Sequence, residues 1–176
     1  MFRIRLMQVT DIPAVLVIQA QAYVDEILES AEVIAARLHS APQTAWVAET
    51  DAGVQAYLVT YPSRLGALTA WGENFQCAQD ADCLYLHDLA VAGAAGGGGL
   101  GRALIVAATQ YAEESGYRFS SLISVQGSVG FWQRRGYGVV ENLSQAQQRL
   151  LATYTGPAYY MSKTLAVREA VVESIC

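Results

Sequence analysis

The chain has 176 residues and a mass of 19.0 kDa, the size of one domain able to bury its own core, and 53% hydrophobic against 15% charged residues excludes a disordered chain. A formal net charge of −5, with 16 acidic and 11 basic groups and no Lys/Arg cluster, excludes a nucleic-acid binder that works by an electrostatic footprint. Cys77, Cys83 and Cys176, with His39 and His87, match no zinc spacing, so a reduced, cytoplasmic compartment and no metal are expected.

Residues 2–7 alternate as a strand does, and Thr10, Asp11 and Pro13 form a helix start ahead of the apolar run 14–23. Gln8, Asp11, Pro13 and Gln19 interrupt that run, which reads as an amphipathic helix rather than a signal segment. No run reaches the roughly 18 apolar residues of a membrane span, so a soluble protein is expected. Ser30 caps a second helix over 31–40 that stops before Pro42, and strands 44–49 and 54–60 flank the turn Asp51-Ala52-Gly53. Between 61 and 83 the pattern dissolves around Pro62, Gly66 and Gly72, a length at which loops usually carry function.

Residues 84–91 give a dense strand signal, 92–99 are almost pure Gly and Ala, and 100–115 form an amphipathic helix stopped by Gly116. A strand over 119–125, a short helix over 128–135 ended by Gly136, a short strand over 138–140 and a last strand over 158–165 follow. The strand-helix-strand order implies a parallel or mixed sheet. One domain over 1–165 is expected, with 166–176 a tail or short helix whose Val167, Val171, Val172 and Ile175 would suit docking on a partner subunit; monomer and homodimer both stay open.

The chemistry gathers at Gly96-Gly97-Gly98-Gly99-Leu100-Gly101, directly between a strand and a helix. The first N–H groups of a helix have no intrahelical partner, and glycines let them approach a diphosphate closely, helped by the helix dipole and by Arg102. Two other phosphate motifs fail. Gly101 is followed by Arg102-Ala103 rather than the Lys-Ser/Thr of a P-loop, and the third glycine of a dinucleotide fingerprint falls on Leu104.

Three blocks, in order and spacing, resemble the GNAT N-acetyltransferase superfamily. His87-Asp88-Leu89-Ala90-Val91 resembles its strand before the loop, and Gly99-Leu100-Gly101 the end of its Q/R-x-x-G-x-G/A pattern. Phe131-Trp132-Gln133-Arg134-Arg135-Gly136-Tyr137 is similar to its F-Y-x-x-x-G-F stretch. The resemblance covers 84–140 well and implies an α/β fold, a mixed, mostly antiparallel V-shaped sheet of six to seven strands flanked by about four helices. It implies an acyltransferase that moves an acetyl group from acetyl-coenzyme A to a primary amine, on a small molecule or a peptide, by direct attack in a ternary complex. A non-catalytic acetyl-coenzyme A sensor or scaffold is the alternative, and a longer acyl donor a third reading.

By the same resemblance, Leu89, Ala90 and Val91 meet the pantetheine arm. Gly96, Gly97, Gly98, Gly99, Leu100, Gly101 and Arg102 hold the pyrophosphate, and Ser128, Phe131, Trp132 and Arg134 lie along the cofactor's path. Ser128 is equally readable as a helix cap. Two positions depart from the family: Gly96 replaces the Q/R, which predicts a mobile loop in the free protein, and Trp132 replaces a tyrosine that protonates the departing thiolate, which an indole cannot do.

His87 stands where some relatives hold a general-base glutamate, and an imidazole can accept a proton near neutral pH; a purely structural histidine is the other reading. Tyr159 and Tyr160 point to opposite faces of the last strand, so one, taken as Tyr160, could supply the missing proton donor. Tyr23, Tyr61 and Trp71, with Ser124 at a strand end, are the expected acceptor-site residues, and Asp25, Glu26 and Glu29 would suit a cationic amine. Alternation places His87 and Asp88 on opposite faces unless a bulge intervenes, and Asp88 reads as the buried partner of a helix or loop donor. Tyr137 reads as core.

Overall fold

Strand β1 (Phe2–Leu6) leads through a 3-10 turn into helix α1 (Ile12–Ala22), which has Pro13 in its first turn as the sequence predicts. A computed structural model describes residues 1–166, so the expected terminal helix or tail lies outside the described residues. Helix α2 (Ala31–Ser40) is capped by Ser30, whose hydroxyl accepts from Val33 N–H. Strands β2 (Ala45–Thr50) and β3 (Gly53–Ser63) form the predicted hairpin, with Gly53 at φ +91° in its turn. Strand β4 (Cys83–Val91), helix α3 (Leu100–Glu114), strand β5 (Phe119–Ser124), the short helix α4 (Val129–Gln133) and strand β6 (Gly138–Val139) follow in the predicted order. Helix α5 (Gln145–Leu151) precedes the last strand, β7 (Tyr159–Thr164).

Helix α5 went unpredicted, although Ser144 and Gln147 spell a capping box that is present in the structure. The five α-helices and seven strands among the described residues otherwise match the α/β, mostly antiparallel sheet expected from the resemblance.

The seven strands run in the order β1-β2-β3-β4-β5-β7-β6, all antiparallel except the central β4–β5 pair. Each face of the sheet carries a core. Val15, Ile18, Ile34 and Leu38 of α1 and α2 cover Val47, Tyr57, Tyr85 and Tyr160 on one side. Leu104, Ala108 and Ala112 of α3 cover Leu58, Leu84, Leu86 and Leu122 on the other.

Two irregularities at the centre of this sheet create the cleft. Strand β4 pairs with β5 only from Cys83 to Leu86, opposite Phe119 to Leu122, and beyond that point the two strands part. On its other side β4 pairs Leu86 with Thr60 and Asp88 with Val59, so His87 is the extra residue of a β-bulge. The bulge reverses the facing of everything after it. Tyr85 lies in the α1/α2 core, and so does Ala90, whereas simple alternation would put them on opposite faces. Leu89 and Val91 turn to the α3 side with Leu84 and Leu86. His87 and Asp88 therefore share the α1/α2 face, which corrects the simple alternation.

Candidate active site

The V between β4 and β5 opens a cavity of about 580 Å³ that runs from the N-terminus of α3 to His87 and Asp88. At one end is the glycine-rich loop. Gly97 and Gly99 adopt φ of +81° and +78°, a left-handed backbone that side chains resist, and a Cβ on either would meet no atom within 4 Å, so both face open space. Gly99 is the N-cap of the 15-residue α3, and the N–H groups of Leu100, Gly101 and Arg102 in its first turn are free of intrahelical carbonyls. Gly101 packs over β4, where a Cβ would make an ordinary contact 3.5 Å from Val91 Cγ2.

Arginines crowd this end. The Arg135 guanidinium sits 3.3 Å above the Phe131 ring centroid, donates to the Phe131 carbonyl at 2.6 Å and keeps a buried Nε with no hydrogen-bond partner. Burial, together with the charges of Arg134 and Arg102, pulls Arg135 below its ordinary pKa. Glycine N–H groups, a helix N-terminus and these arginines suit a diphosphate.

The other end is anionic and aromatic. Asp88 accepts one phenolic proton on each oxygen, from Tyr23 and Tyr57, both at 2.6 Å, as the reading of a buried partner anticipated. Burial raises its carboxyl pKa, an effect that the two phenols oppose. The Tyr23 hydroxyl also lies 2.8 Å from the Leu89 carbonyl, an alternative acceptor for its single proton.

His87 is held from behind. Its Nε2 lies 2.7 Å from Arg37 NH1 and 3.3 Å from Glu29 Oε1, and its ring meets Phe75 edge-on with centroids 5.0 Å apart. A guanidinium cannot accept a hydrogen bond, so Arg37 donates to the Nε2 lone pair and the ring proton belongs on Nδ1. The expected free imidazole base is therefore not available at Nε2. Arg37, 3% exposed, also pairs with Glu29 and donates to the Glu73 carbonyl at 3.1 Å. Burial would raise the Glu29 carboxyl, but the Arg37 guanidinium paired with it opposes that, and Glu29 is held below the usual range.

The cavity wall gathers most of the residues expected on the cofactor's path: Leu89, Val91, Gly96, Gly97, Gly99, Leu100, Gly101, Arg102, Ser128, Phe131 and Trp132, with Tyr23 from the acceptor set. Ala90 turns into the α1/α2 core at 3% exposure because of the bulge, and neither Gly98 nor Arg134 lines the wall; Arg135 takes the place expected of Arg134. Ser128 donates to the Val125 carbonyl at 2.7 Å, so the buried Ser124 donates to Ser128 across 2.8 Å and stays behind the wall.

Tyr160 and Tyr61 lie elsewhere. Tyr160 is 2% exposed with its oxygen accepting from Gly66 N–H at 2.8 Å, which removes it from the cleft as a proton donor. Tyr61 is buried, stacked on Phe75 at 4.2 Å and bonded to Thr69, a core role in place of the expected acceptor contact. Tyr137, 3% exposed and bonded to Ser120, is core as read.

A second chamber of about 180 Å³ opens off the cleft at Tyr23, His87 and Asp88 and is closed by Trp71, Tyr85 and Tyr154. Sequence reasoning missed Arg37, Tyr57, Tyr154 and Gln126. Gln126 turns through φ +52°, a strained position for a non-glycine, on the wall of both cavities. No group of three or more His, Cys, Asp or Glu suited to a metal occurs among the described residues, and no described helix is long and apolar enough to cross a membrane.

This fold and site define a cleft that is glycine-lined and cationic at a helix N-terminus and runs between two diverging strands to a carboxylate and an imidazole. Residues 13–137 match the model of the Acetyltransferase (GNAT) family, and the chain belongs to that family. No curated protein sequence matches it. Among solved structures it is similar to the GphF GNAT-like decarboxylase in complex with isobutyryl-CoA, with TM-score 0.75 and 14% identity over 93% of this chain and 100% of that one. It is also similar to the ribosomal-protein-S18-alanine N-acetyltransferase from Escherichia coli, with TM-score 0.65 and 16% identity over 98% of each chain. A GNAT family acetyltransferase from Brucella melitensis in complex with acetyl-CoA matches with TM-score 0.57 and 21% identity over 78% of this chain and 83% of that one.

Proposed function

We propose that the chain is an N-acetyltransferase that moves the acetyl group of acetyl-CoA to a primary amine. The observation that carries this reading is the polarity of one continuous cleft, cationic and glycine-lined at the α3 N-terminus and carboxylate-bearing where β4 and β5 part. A donor with a diphosphate at one end and a thioester at the other fits that polarity, and the β4 backbone beyond Leu86, left without a strand partner on its β5 side, offers amide groups to the amide-bearing arm between them.

In the reaction, the neutral amine nitrogen forms a bond to the acetyl carbonyl carbon, the carbon–sulfur bond breaks, and the sulfur keeps the electron pair. The proton shed by nitrogen goes to Asp88, whose raised pKa makes it a stronger base than an exposed carboxylate, and from there to sulfur directly or through water. His87 keeps Nδ1–H as a donor because Arg37 occupies Nε2. Asp88 thus takes the base role expected of His87, and His87 positions.

Thermal melting tests the donor. Acetyl-CoA at about 100 times its dissociation constant adds roughly 2.7 kcal/mol, about 5–10 °C for a chain of this size, whereas NADH and ATP leave the melting temperature unchanged. Release of coenzyme A thiol with a panel of amines then tests catalysis. A second reading, a non-catalytic acetyl-CoA sensor, is favoured by Trp132 in place of a phenol and by the engagement of the Tyr137 and Tyr160 hydroxyls elsewhere. A sensor would give the thermal shift without thiol release.

A further inference from the structure

The second chamber indicates which amines this site takes, an inference that rests on the acetyl-transfer reading. It joins the cleft at Tyr23, His87 and Asp88, where an acceptor nitrogen has to arrive, so it is the volume into which the rest of the acceptor extends. Its far wall is aromatic: Trp71 meets Tyr154 edge-on with ring centroids 5.7 Å apart, and Tyr85 lies beside them. That wall is fixed in place. Trp71 N–H donates to Thr153 Oγ1 at 2.9 Å and the Tyr154 hydroxyl to the Thr69 carbonyl at 2.9 Å, which ties the 64–82 loop to the segment between α5 and β7.

The charges on the chamber are of one sign. Glu29 and Asp88 line it, and among its described lining residues none is Lys or Arg. The Arg37 guanidinium behind Glu29 is 3% exposed and already committed to Glu29, His87 and the Glu73 carbonyl. An amino acid brought in by its amine would place its own carboxylate beside these two with no cation to receive it, a desolvated like-charge contact. A volume of 180 Å³ is also well below the roughly 300 Å³ at which pockets for drug-sized ligands begin, which favours a small acceptor body over a peptide chain. Carboxylates and ring faces together attract an ammonium before it loses its proton, and the rings then pack its apolar body.

We propose that the acceptor is a small primary amine with an aromatic or apolar body and no carboxylate. The test uses the full chain saturated with coenzyme A and titrates 2-phenylethylamine, L-phenylalanine and phenylalanyl-alanine by calorimetry, then repeats the three with acetyl-CoA while following thiol release. 2-Phenylethylamine is expected to bind and react at least about tenfold better than the other two. Trp71→Ala, in a partly exposed loop, weakens that binding by about tenfold, and Trp71→Phe restores most of it. Thermal melting of both variants establishes that they fold. Equal or better use of phenylalanine or the dipeptide, or binding indifferent to Trp71→Ala, overturns the assignment while leaving acetyl transfer intact. Binding of 2-phenylethylamine that depends on Trp71, with no thiol release from any amine, supports the ligand class and removes the acetyl-transfer reading instead.

Discussion

Replacing Asp88 by asparagine separates chemistry from architecture at this site. Each Asp88 oxygen accepts one phenolic proton, from Tyr23 and from Tyr57, at 2.6 Å. Asparagine can keep its oxygen toward Tyr57 and turn its amide toward Tyr23, whose proton then moves to the Leu89 carbonyl 2.8 Å away while its lone pair accepts the amide N–H. Both phenols remain satisfied, so Asp88→Asn should cost less in urea unfolding than Asp88→Ala, about 1 kcal/mol or below. Asp88→Ala instead orphans the buried Tyr57 hydroxyl and should cost about 1–3 kcal/mol. The base, however, is lost in both, and kcat/KM in the thiol-release assay should fall by about 10²–10⁴. The pH profile adds an independent reading. Activity needs the ionised carboxylate, and burial raises its pKa, so the acid limb of kcat/KM should lie above the ordinary carboxylate range near ~4 and vanish in Asp88→Asn. Stability runs the opposite way: the folded chain holds this proton more tightly than the unfolded chain, so stability contributed at Asp88 falls as pH rises from the unfolded pKa through the raised folded one. An Asp88→Asn variant that keeps more than about a third of wild-type kcat/KM, or the same acid limb, refutes its role as the proton acceptor.

The glycine loop makes a paired prediction: Gly99→Ala, at φ +78°, should lose about 1–2 kcal/mol in a urea titration. Gly101→Ala, whose new Cβ makes an ordinary 3.5 Å contact with Val91, should be neutral or gain up to about 1 kcal/mol from helix propensity. Arg135→Gln should weaken acetyl-CoA binding by about tenfold or more at low salt, with a smaller effect at high salt, measured by calorimetry; an unchanged affinity would mean that Arg135 does not face the donor's phosphates. Asp11 accepts from Arg5 at 2.7 and 2.8 Å and from Gln8 N–H at 2.8 Å, and the Arg5 hydrogen bonds hold its carboxyl below the usual range. Asp11→Asn should therefore cost about 1.5–3 kcal/mol at pH 7. Because a lowered folded pKa confers stability above the unfolded value, that difference should shrink as pH drops below ~4 and through the folded pKa, read by urea unfolding at stepped pH.

Periodicity carried the sequence reading as far as contacts remain local. The 100–115 helix, the Gly53 turn and the Ser30 cap depend on neighbours within a few residues, and each appears where the pattern puts it. The glycine cradle was readable for the same reason, since a strand, a glycine run and a helix are consecutive in the chain. Arg37 was not readable. It lies on the buried face of α2 between Ile34 and Leu38, where an isolated charge is expensive, and only the meeting of α2 with Glu29, His87 and the 64–82 loop makes its burial possible. Tyr23 and Tyr57 likewise converge on Asp88 from positions 65 and 31 residues away along the chain.

The decisive miss is smaller than any of these, a single unpaired residue in β4. Strict alternation would have sent Asp88 into the α3 core, away from both phenols, and left His87 alone beside the cleft. One extra residue turns both side chains to the same face, bends the strand where its pairing with β5 ends, and so aligns the carboxylate, the imidazole and the mouth of the cleft. A one-residue deletion within 84–86 that restored regular pairing should then abolish activity even if the sheet survived, because it would return His87 and Asp88 to opposite sides. Retained activity in a folded deletion variant would show that the reaction does not need both groups on one face.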